Sequence, residues 1–297
     1  MPALPMSVVA TVIRLTRQRK FATASHGRRV LAEPKAASAP PRSLTRRFDV
    51  SSTRDHGFDV YRVAPRGAPP GPAVIYLHGG AYVAEIVSQH WSLIGHLAAE
   101  TGLAVHVPIY GLAPEHHGLE ALDLVTKVIA DVGRCYLAGD SAGGGLALIA
   151  AQAAPGRVAG LTLMAPWLDL TMSNPGIDQV EPHDPWLRRA GLHPMAAAWA
   201  GDVPLTDPRL SPIHGDLAGL PPTQILVGTR DITLPDCRLL RDRMPASVPL
   251  SYHEEPGAIH VYPLLPVSSA RAGRSAIVSH IRSSFSSGGD APGPSPA

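Results

Sequence analysis

The chain has 297 residues, 45% hydrophobic and 17% charged, which is enough apolar content for a large core and rules out global disorder. Lys and Arg number 26 against 24 Asp and Glu, a net charge of +2 that argues against a dedicated nucleic-acid binder, whose phosphate contacts need a basic face. Two Cys cannot build a disulfide framework, and no apolar run reaches the roughly 18 residues of a membrane helix, so no stable membrane insertion is expected.

The chain opens with MPALPMSVVATVIRLTRQRK, apolar over about the length of a signal peptide. Its charges follow the apolar stretch, and no small-residue cleavage site closes it. It is read as an amphipathic helix with Val8, Val12 and Leu15 on one face, in a cytoplasmic protein, with surface membrane contact as the secondary reading. The rest of residues 1–45 turns loop-like and Pro-rich. Two alternating runs, Arg46–Val50 and Asp59–Val63, predict an antiparallel hairpin. Short apolar runs follow at Ala73–His78, Ala104–Val107, Cys135–Gly139, Leu161–Ala165, Thr223–Gly228 and Val248–Glu254, most of them continuous, as buried parallel strands are. Leu122, Val125 and Ile129 recur at helical spacing within Leu119–Val132. This alternation predicts an α/β architecture, a mixed and mostly parallel sheet with helices on both faces. Residues 167–215 break the alternation and read as an insertion that forms a lid or binding loop. The tail, 286–297, has the composition of a disordered terminus.

Chemistry concentrates in four places. Gly139-Asp140-Ser141-Ala142-Gly143 is G-x-S-x-G between an apolar run and an Ala/Leu-rich helix, the strand–turn–helix context of a nucleophile elbow. So abrupt a turn strains Ser141, lifts its Oγ out of the sheet and requires small neighbours two residues away on either side. The competing readings are an inert Gly-rich helix start and a phosphate loop, and no Gly-Lys-Ser/Thr follows to support the latter. His78-Gly79-Gly80-Ala81-Tyr82 follows an earlier strand and reads as an oxyanion loop. Its N–H donors are expected from Gly80 and Ala81, with Gly79 as an alternate and Ala142 beyond the nucleophile. His78 is read as a structural anchor of that loop.

In this arrangement the triad order is Ser, acid, His. Asp231 stands just past the strand run ending at Gly228, whereas its rival Asp236 falls farther on, in a helical stretch. His260 occupies a Gly-containing loop after the last strand, and His253 lies inside that strand. His116 and His117 are adjacent and face different ways, so no metal and no cofactor are expected. Cys135 reads as an inert core thiol, and Cys237 has no assigned role.

These motifs, together with Tyr110-Gly-Leu-Ala-Pro-Glu-His116, Asp207-Pro-Arg-Leu-Ser-Pro212 and GLPP at 219–222, resemble the bacterial hormone-sensitive-lipase family of carboxylesterases over roughly residues 46–284. The resemblance implies an α/β-hydrolase core with an eight-stranded, mostly parallel sheet. Its first part would span 46–166 and its second 216–285, beneath a helical cap built from 1–45 and 167–215. Two positions depart from the family pattern. Ala81 replaces the third Gly of the oxyanion motif but keeps its N–H, and Gly111 stands where an Arg is usual. The expected activity is hydrolysis of short-chain acyl esters through Ser141, His260 and Asp231. A lactone hydrolase or a deacetylase of small metabolites is the near alternative, and a non-catalytic ligand-binding module is the distant one. The expected partner is a small-molecule ester. Neither nucleic acid nor stable membrane insertion is expected, and the sequence carries no signal of oligomeric state.

Overall fold

The computed structural model describes residues 3–55 and 57–286. The elements are α1 (Met6–Thr16), α2 (Ala24–Leu31), α3 (Arg42–Thr45), β1 (Asp49–Asp55), β2 (Phe58–Ala64), β3 (Ala73–Leu77), α4 (Ser88–Thr101), β4 (Ala104–Pro108), α5 (Gly118–Val132), β5 (Cys135–Asp140), α6 (Ala142–Ala153), β6 (Val158–Met164), α7 (Ile177–Val180), α8 (Arg189–Ala200), β7 (Thr223–Gly228), α9 (Leu234–Arg243), β8 (Leu250–Glu255) and α10 (Ser268–Ser286). One sheet runs β1-β2-β4-β3-β5-β6-β7-β8. The β1/β2 and β2/β4 pairs are antiparallel and the rest are parallel.

Side chains alternate across this sheet with a period of two. Val74, Tyr76, Tyr136 and Ala138 face a core shared with α4 and α10. Ile75, Leu77, Cys135 and Leu137 face the opposite core with α5, α6 and α9. Burial on both faces explains why these strands appear in the sequence as unbroken apolar runs. The first strand falls later than Arg46–Val50, because Arg42–Thr45 forms a turn of helix and β1 runs through the polar DVSSTRD. As an edge strand exposed over most of its length, β1 has no apolar alternation to reveal it.

The N-terminal helix forms and carries two apolar stripes, of which only one is buried. Val9, Ala10 and Ile13 are buried against Ile259, Leu265 and Val267, while Val8, Val12 and Leu15 face outward. Both stripes satisfy helical periodicity, and docking beside Ile259 decides which one is covered. Further on, α2 crosses α8 at a close backbone approach, where a Cβ on Gly27 would lie 2.1 Å from the Gly191 carbonyl oxygen. The tail expected over 286–297 lies, beyond Ser286, outside the described residues.

Candidate active site

The loops that follow β3, β5, β7 and β8 all leave the same end of the sheet, the C-terminal ends of its parallel strands. Because β3 adjoins β5, the His78–Tyr82 loop abuts Ser141. Because β7 adjoins β8, Asp231 meets His260.

Ser141 joins β5 directly to α6 with φ 52° and ψ −120°, a left-handed backbone that a non-Gly residue adopts only at a cost. Hydrogen bonds over-determine that turn. Ser141 N–H donates to the Met164 carbonyl (2.9 Å), and the Ser141 carbonyl accepts from Gly145 (3.1 Å) and Trp167 (2.9 Å). The flanking glycines are sterically required. A Cβ on Gly143 would lie 2.1 Å from the Leu77 carbonyl oxygen, and one on Gly139 would lie 2.3 Å from that of Gly143.

Ser141 Oγ is 2.8 Å from His260 Nε2, and His260 Nδ1 is 3.0 Å from both carboxylate oxygens of Asp231. Asp231 Oδ1 also accepts from the Thr233 N–H (3.0 Å) and hydroxyl (2.9 Å). The two loops are tied together by Arg230 N–H to Ala258 (2.9 Å), Thr229 N–H to Glu255 (3.1 Å) and Gly257 N–H to Thr229 Oγ1 (2.8 Å). Both Asp231 and His260 are buried. Burial opposes a charged imidazole, but the Asp231 charge and hydrogen bond, with Asp184 and Asp140 behind them, outweigh it and raise the His260 pKa.

The rival candidates are engaged elsewhere. Asp236 accepts from Asn174 Nδ2 (2.8 Å), and burial pushes its pKa up to about 6. His253 is exposed on β8 beside Ser251 Oγ (2.9 Å). His116 pairs with Glu120 (2.8 Å), and His117 donates to the Ala198 carbonyl (3.2 Å). The His116 ring fills the space at Gly111, where a Cβ would lie 2.3 Å from its Cγ. Cys135 and Cys237 are buried, and burial pushes the Cys135 thiol up to about 12.

The oxyanion loop holds one correction. Gly79, expected as an alternate donor, turns its N–H onto Asp140 Oδ1 (3.0 Å), so that amide is already committed. Among the described residues, the amides of Gly80, Ala81 and Ala142 make no protein hydrogen bond. The loop departs from ordinary backbone at three successive residues, Gly80 (φ 133°), Ala81 (φ 52°) and Tyr82 (φ 61°). Tyr82 holds it in place, stacking on Trp199 of α8 (4.2 Å between ring centroids) and donating its hydroxyl to the Ala142 carbonyl (2.8 Å). His78 Nδ1 donates to the Gly79 carbonyl (2.8 Å), and the ring stacks on Tyr110 (4.6 Å). Burial, with His90 nearby, lowers the His78 pKa to about 4, so the ring is neutral.

Two buried carboxylates escaped the sequence reading. Asp140 accepts from the Tyr76 hydroxyl (2.7 Å) and from Gly79, and its Oδ2 lies 3.3 Å from His90 Nε2. Val87 N–H donates to His90 Nδ1 (3.0 Å), which leaves the His90 proton on Nε2, facing Asp140. Burial would raise the Asp140 pKa, but these donors together hold it below the usual carboxylate range. The available signal was its place inside G-D-S-A-G, next to the serine. Asp184, from the 167–215 insertion, accepts from Trp186 (2.7 Å), Leu187 (3.0 Å) and the Ile232 N–H beside Asp231 (2.9 Å). The Trp186 ring then meets His260 edge-on at 5.7 Å. Burial and the Asp231 charge push the Asp184 pKa up to about 6. Nothing in the sequence places residue 184 next to residue 231.

Comparison with known proteins identifies the fold and the family. Residues 74–264 match the family of the alpha/beta hydrolase fold. The chain is similar to LipR of Mycobacterium tuberculosis, 37% identical over 239 residues covering 74% of each chain. It is also similar to an acetyl-hydrolase of Streptomyces hygroscopicus, 34% identical over 214 residues that cover 66% of this chain and 71% of that one. Among solved structures, the HSL homolog EstE7 from a metagenome library aligns with a TM-score of 0.77 at 25% identity, covering 95% of this chain and 99% of that one. With a matched family over most of its length and an esterase fold throughout, the chain belongs to the α/β-hydrolase family, among the carboxylic ester hydrolases of the bacterial hormone-sensitive-lipase type.

Proposed function

We propose that Ser141 is the nucleophile, His260 the general base and Asp231 its orienting partner in hydrolysis of short-chain acyl esters. The observation that carries this reading is the continuous chain Asp231–His260–Ser141, with 3.0 and 2.8 Å contacts, next to uncommitted backbone amides. Ser141 Oγ attacks the ester carbonyl carbon while His260 Nε2 takes its proton. The carbonyl oxygen becomes an oxyanion and is held by the N–H groups of Gly80, Ala81 and Ala142. Each such donor typically contributes about 3 kcal/mol to the transition state. Collapse breaks the bond to the alcohol oxygen, which leaves with the proton from His260. Water then attacks the acyl-enzyme through the same base, releasing the acid and restoring Ser141. Asp231 keeps the other imidazole proton on Nδ1 and stabilises the imidazolium.

Residues 1–45 and 167–215 form the cap in this reading. Support comes from the α2–α8 crossing, from Gln18 Nε2 donating to the Asp184 carbonyl (3.2 Å), and from Trp186 and Trp199 reaching His260 and Tyr82. A cap contacting both the base and the oxyanion loop would suit a small acyl group better than a long one. The similarity to an acetyl-hydrolase points the same way. A p-nitrophenyl ester series from acetate to palmitate, run beside a triolein emulsion, should give the highest kcat/KM within about two to eight acyl carbons. A maximum at palmitate, or a rate jump at the emulsion surface, would assign a lipase instead.

The pH dependence follows from the charges around His260. The base must be neutral to accept the Ser141 proton, and its negative neighbours favour the imidazolium. The acidic limb of kcat/KM should therefore rise with a midpoint above about 6.5, the value of an isolated His. Asp184→Asn removes one of those negative charges and should move the midpoint down. A wild-type midpoint below that of an isolated His, or an unmoved midpoint in the variant, would contradict this account of the base.

A further inference from the structure

The α1 face that the fold leaves uncovered has properties that neither the catalytic site nor the cap uses. Leu4, Val8, Val12 and Leu15 are four of six large hydrophobic side chains exposed among the described residues, and Leu15 is 78% exposed. On a helix, Val8, Val12 and Leu15 lie within an arc of about 60°, on the side opposite Val9, Ala10 and Ile13. The helix is therefore already docked by its other face, and the exposed stripe is a second surface.

Charge says what would cover it. Residues 1–48 contain 10 of the 26 Lys and Arg but only one of the 24 Asp and Glu, a net +9, whereas the remainder of the chain carries 16 against 23, a net −7. Lys20 is paired with Glu33, while Arg14, Arg17, Arg19, Arg28 and Arg29 are exposed and make no ion pair among the described residues. A symmetric contact between two copies would set one such segment against another, and like charges would oppose it. Nucleic acid would satisfy the arginines but has no use for a convex apolar stripe.

We infer that α1, with the basic segment following it, is a peripheral docking face for an anionic lipid bilayer. Val8, Val12 and Leu15 would enter the headgroup–acyl boundary while the arginines lay along the phosphates, as long cationic side chains do at an interface. Among the described residues no helix is long and apolar enough to cross a membrane, so the contact would be reversible and salt-sensitive. The buried side of α1 packs beside Ile259, next to His260, so a docked molecule would hold its candidate active site close to the bilayer.

The test is co-sedimentation of the full chain with vesicles of phosphatidylcholine alone and with added phosphatidylglycerol. Partitioning should be at least about tenfold stronger onto the anionic vesicles and should be largely lost at about 0.5 M NaCl. Val12→Glu with Leu15→Glu should remove about tenfold of it, and Arg14→Glu with Arg17→Glu at least as much. Both variants should keep the wild-type rate on p-nitrophenyl acetate, which separates failure of docking from failure of the esterase reading. Equal sedimentation with both vesicle types, or variants that bind like wild type, would overturn the proposal. So would a wild-type dimer that Leu15→Glu converts to a monomer without any vesicle binding, because a second copy would then be the occupant.

Discussion

Replacing Ser141 by alanine should lower kcat on p-nitrophenyl butyrate by about 10⁴–10⁶-fold, the range seen when a triad nucleophile is deleted. The variant keeps everything except the attacking oxygen. Ser141 Oγ makes one hydrogen bond, to His260, whereas the contacts that hold the elbow come from the Ser141 backbone to Met164, Gly145 and Trp167. Alanine enters the same φ 52° backbone with no larger side chain, so circular dichroism and melting temperature should stay close to wild type. The free amides of Gly80, Ala81 and Ala142 would remain and account for residual turnover. A serine-directed organophosphonate should label wild type at Ser141 and leave the variant unlabelled. Turnover within tenfold of wild type would remove Ser141 from the mechanism.

Asp231→Asn should cost about 10⁴-fold, mostly in kcat. The reason lies in the hydrogen bonds that Asp231 already accepts. Thr233 donates both its N–H and its hydroxyl to Oδ1, so the single carbonyl oxygen of an asparagine is drawn to that position. Its NH₂ group then occupies the place of Oδ2, 3.0 Å from His260 Nδ1. The retained oxygen at Oδ1 is also 3.0 Å from Nδ1 but already accepts two Thr233 hydrogens, so Nδ1 is better matched as the acceptor of the new NH₂, and the imidazole proton moves to Nε2. There it points at Ser141 Oγ and cannot receive the serine proton. Asp184 lies too deep in its own hydrogen bonds, to Trp186, Leu187 and Ile232, to take over the role. Asp236→Asn is the matched control. Its carboxylate contacts Asn174, not His260, so kcat should stay within a few-fold of wild type. A large loss at Asp236 with little at Asp231 would reassign the acid.

Much of the site could be read from the sequence because its requirements are local. A serine on a strand-to-helix turn needs small residues within two positions, so Gly139 and Gly143 announce it without reference to the rest of the chain. The oxyanion loop depends on a backbone at positive φ over adjacent residues, and paired glycines followed by alanine mark it. The parallel strands are buried on both faces, and unbroken apolar runs such as Ala73–Leu77 follow directly from that. Asp231 lies just beyond such a run, Thr223–Gly228, and His260 lies in the Gly-containing loop after the last strand, at the sheet end where Ser141 also lies.

The remaining features belong to contacts between residues far apart in the chain. Whether Val8, Val12 and Leu15 or Val9, Ala10 and Ile13 would be covered depended on the groove beside Ile259, some 250 residues later, because both stripes repeat correctly for a helix. On sequence alone Gly79 is an alternate oxyanion donor, but the pairing of β3 with β5 sets its amide against Asp140, 61 residues away. The same pairing gave Asp140 its partners. Asp184 reached Ile232 only because the insertion folds back across the sheet end. The sequence alone determined the buried parallel strands and the elbow, since local sterics and hydrophobic period dictate them. The tertiary structure decided which apolar stripe is buried, which amides remain free and which carboxylates surround His260. Those outcomes depend on the competition of distant surfaces and charges for the same space.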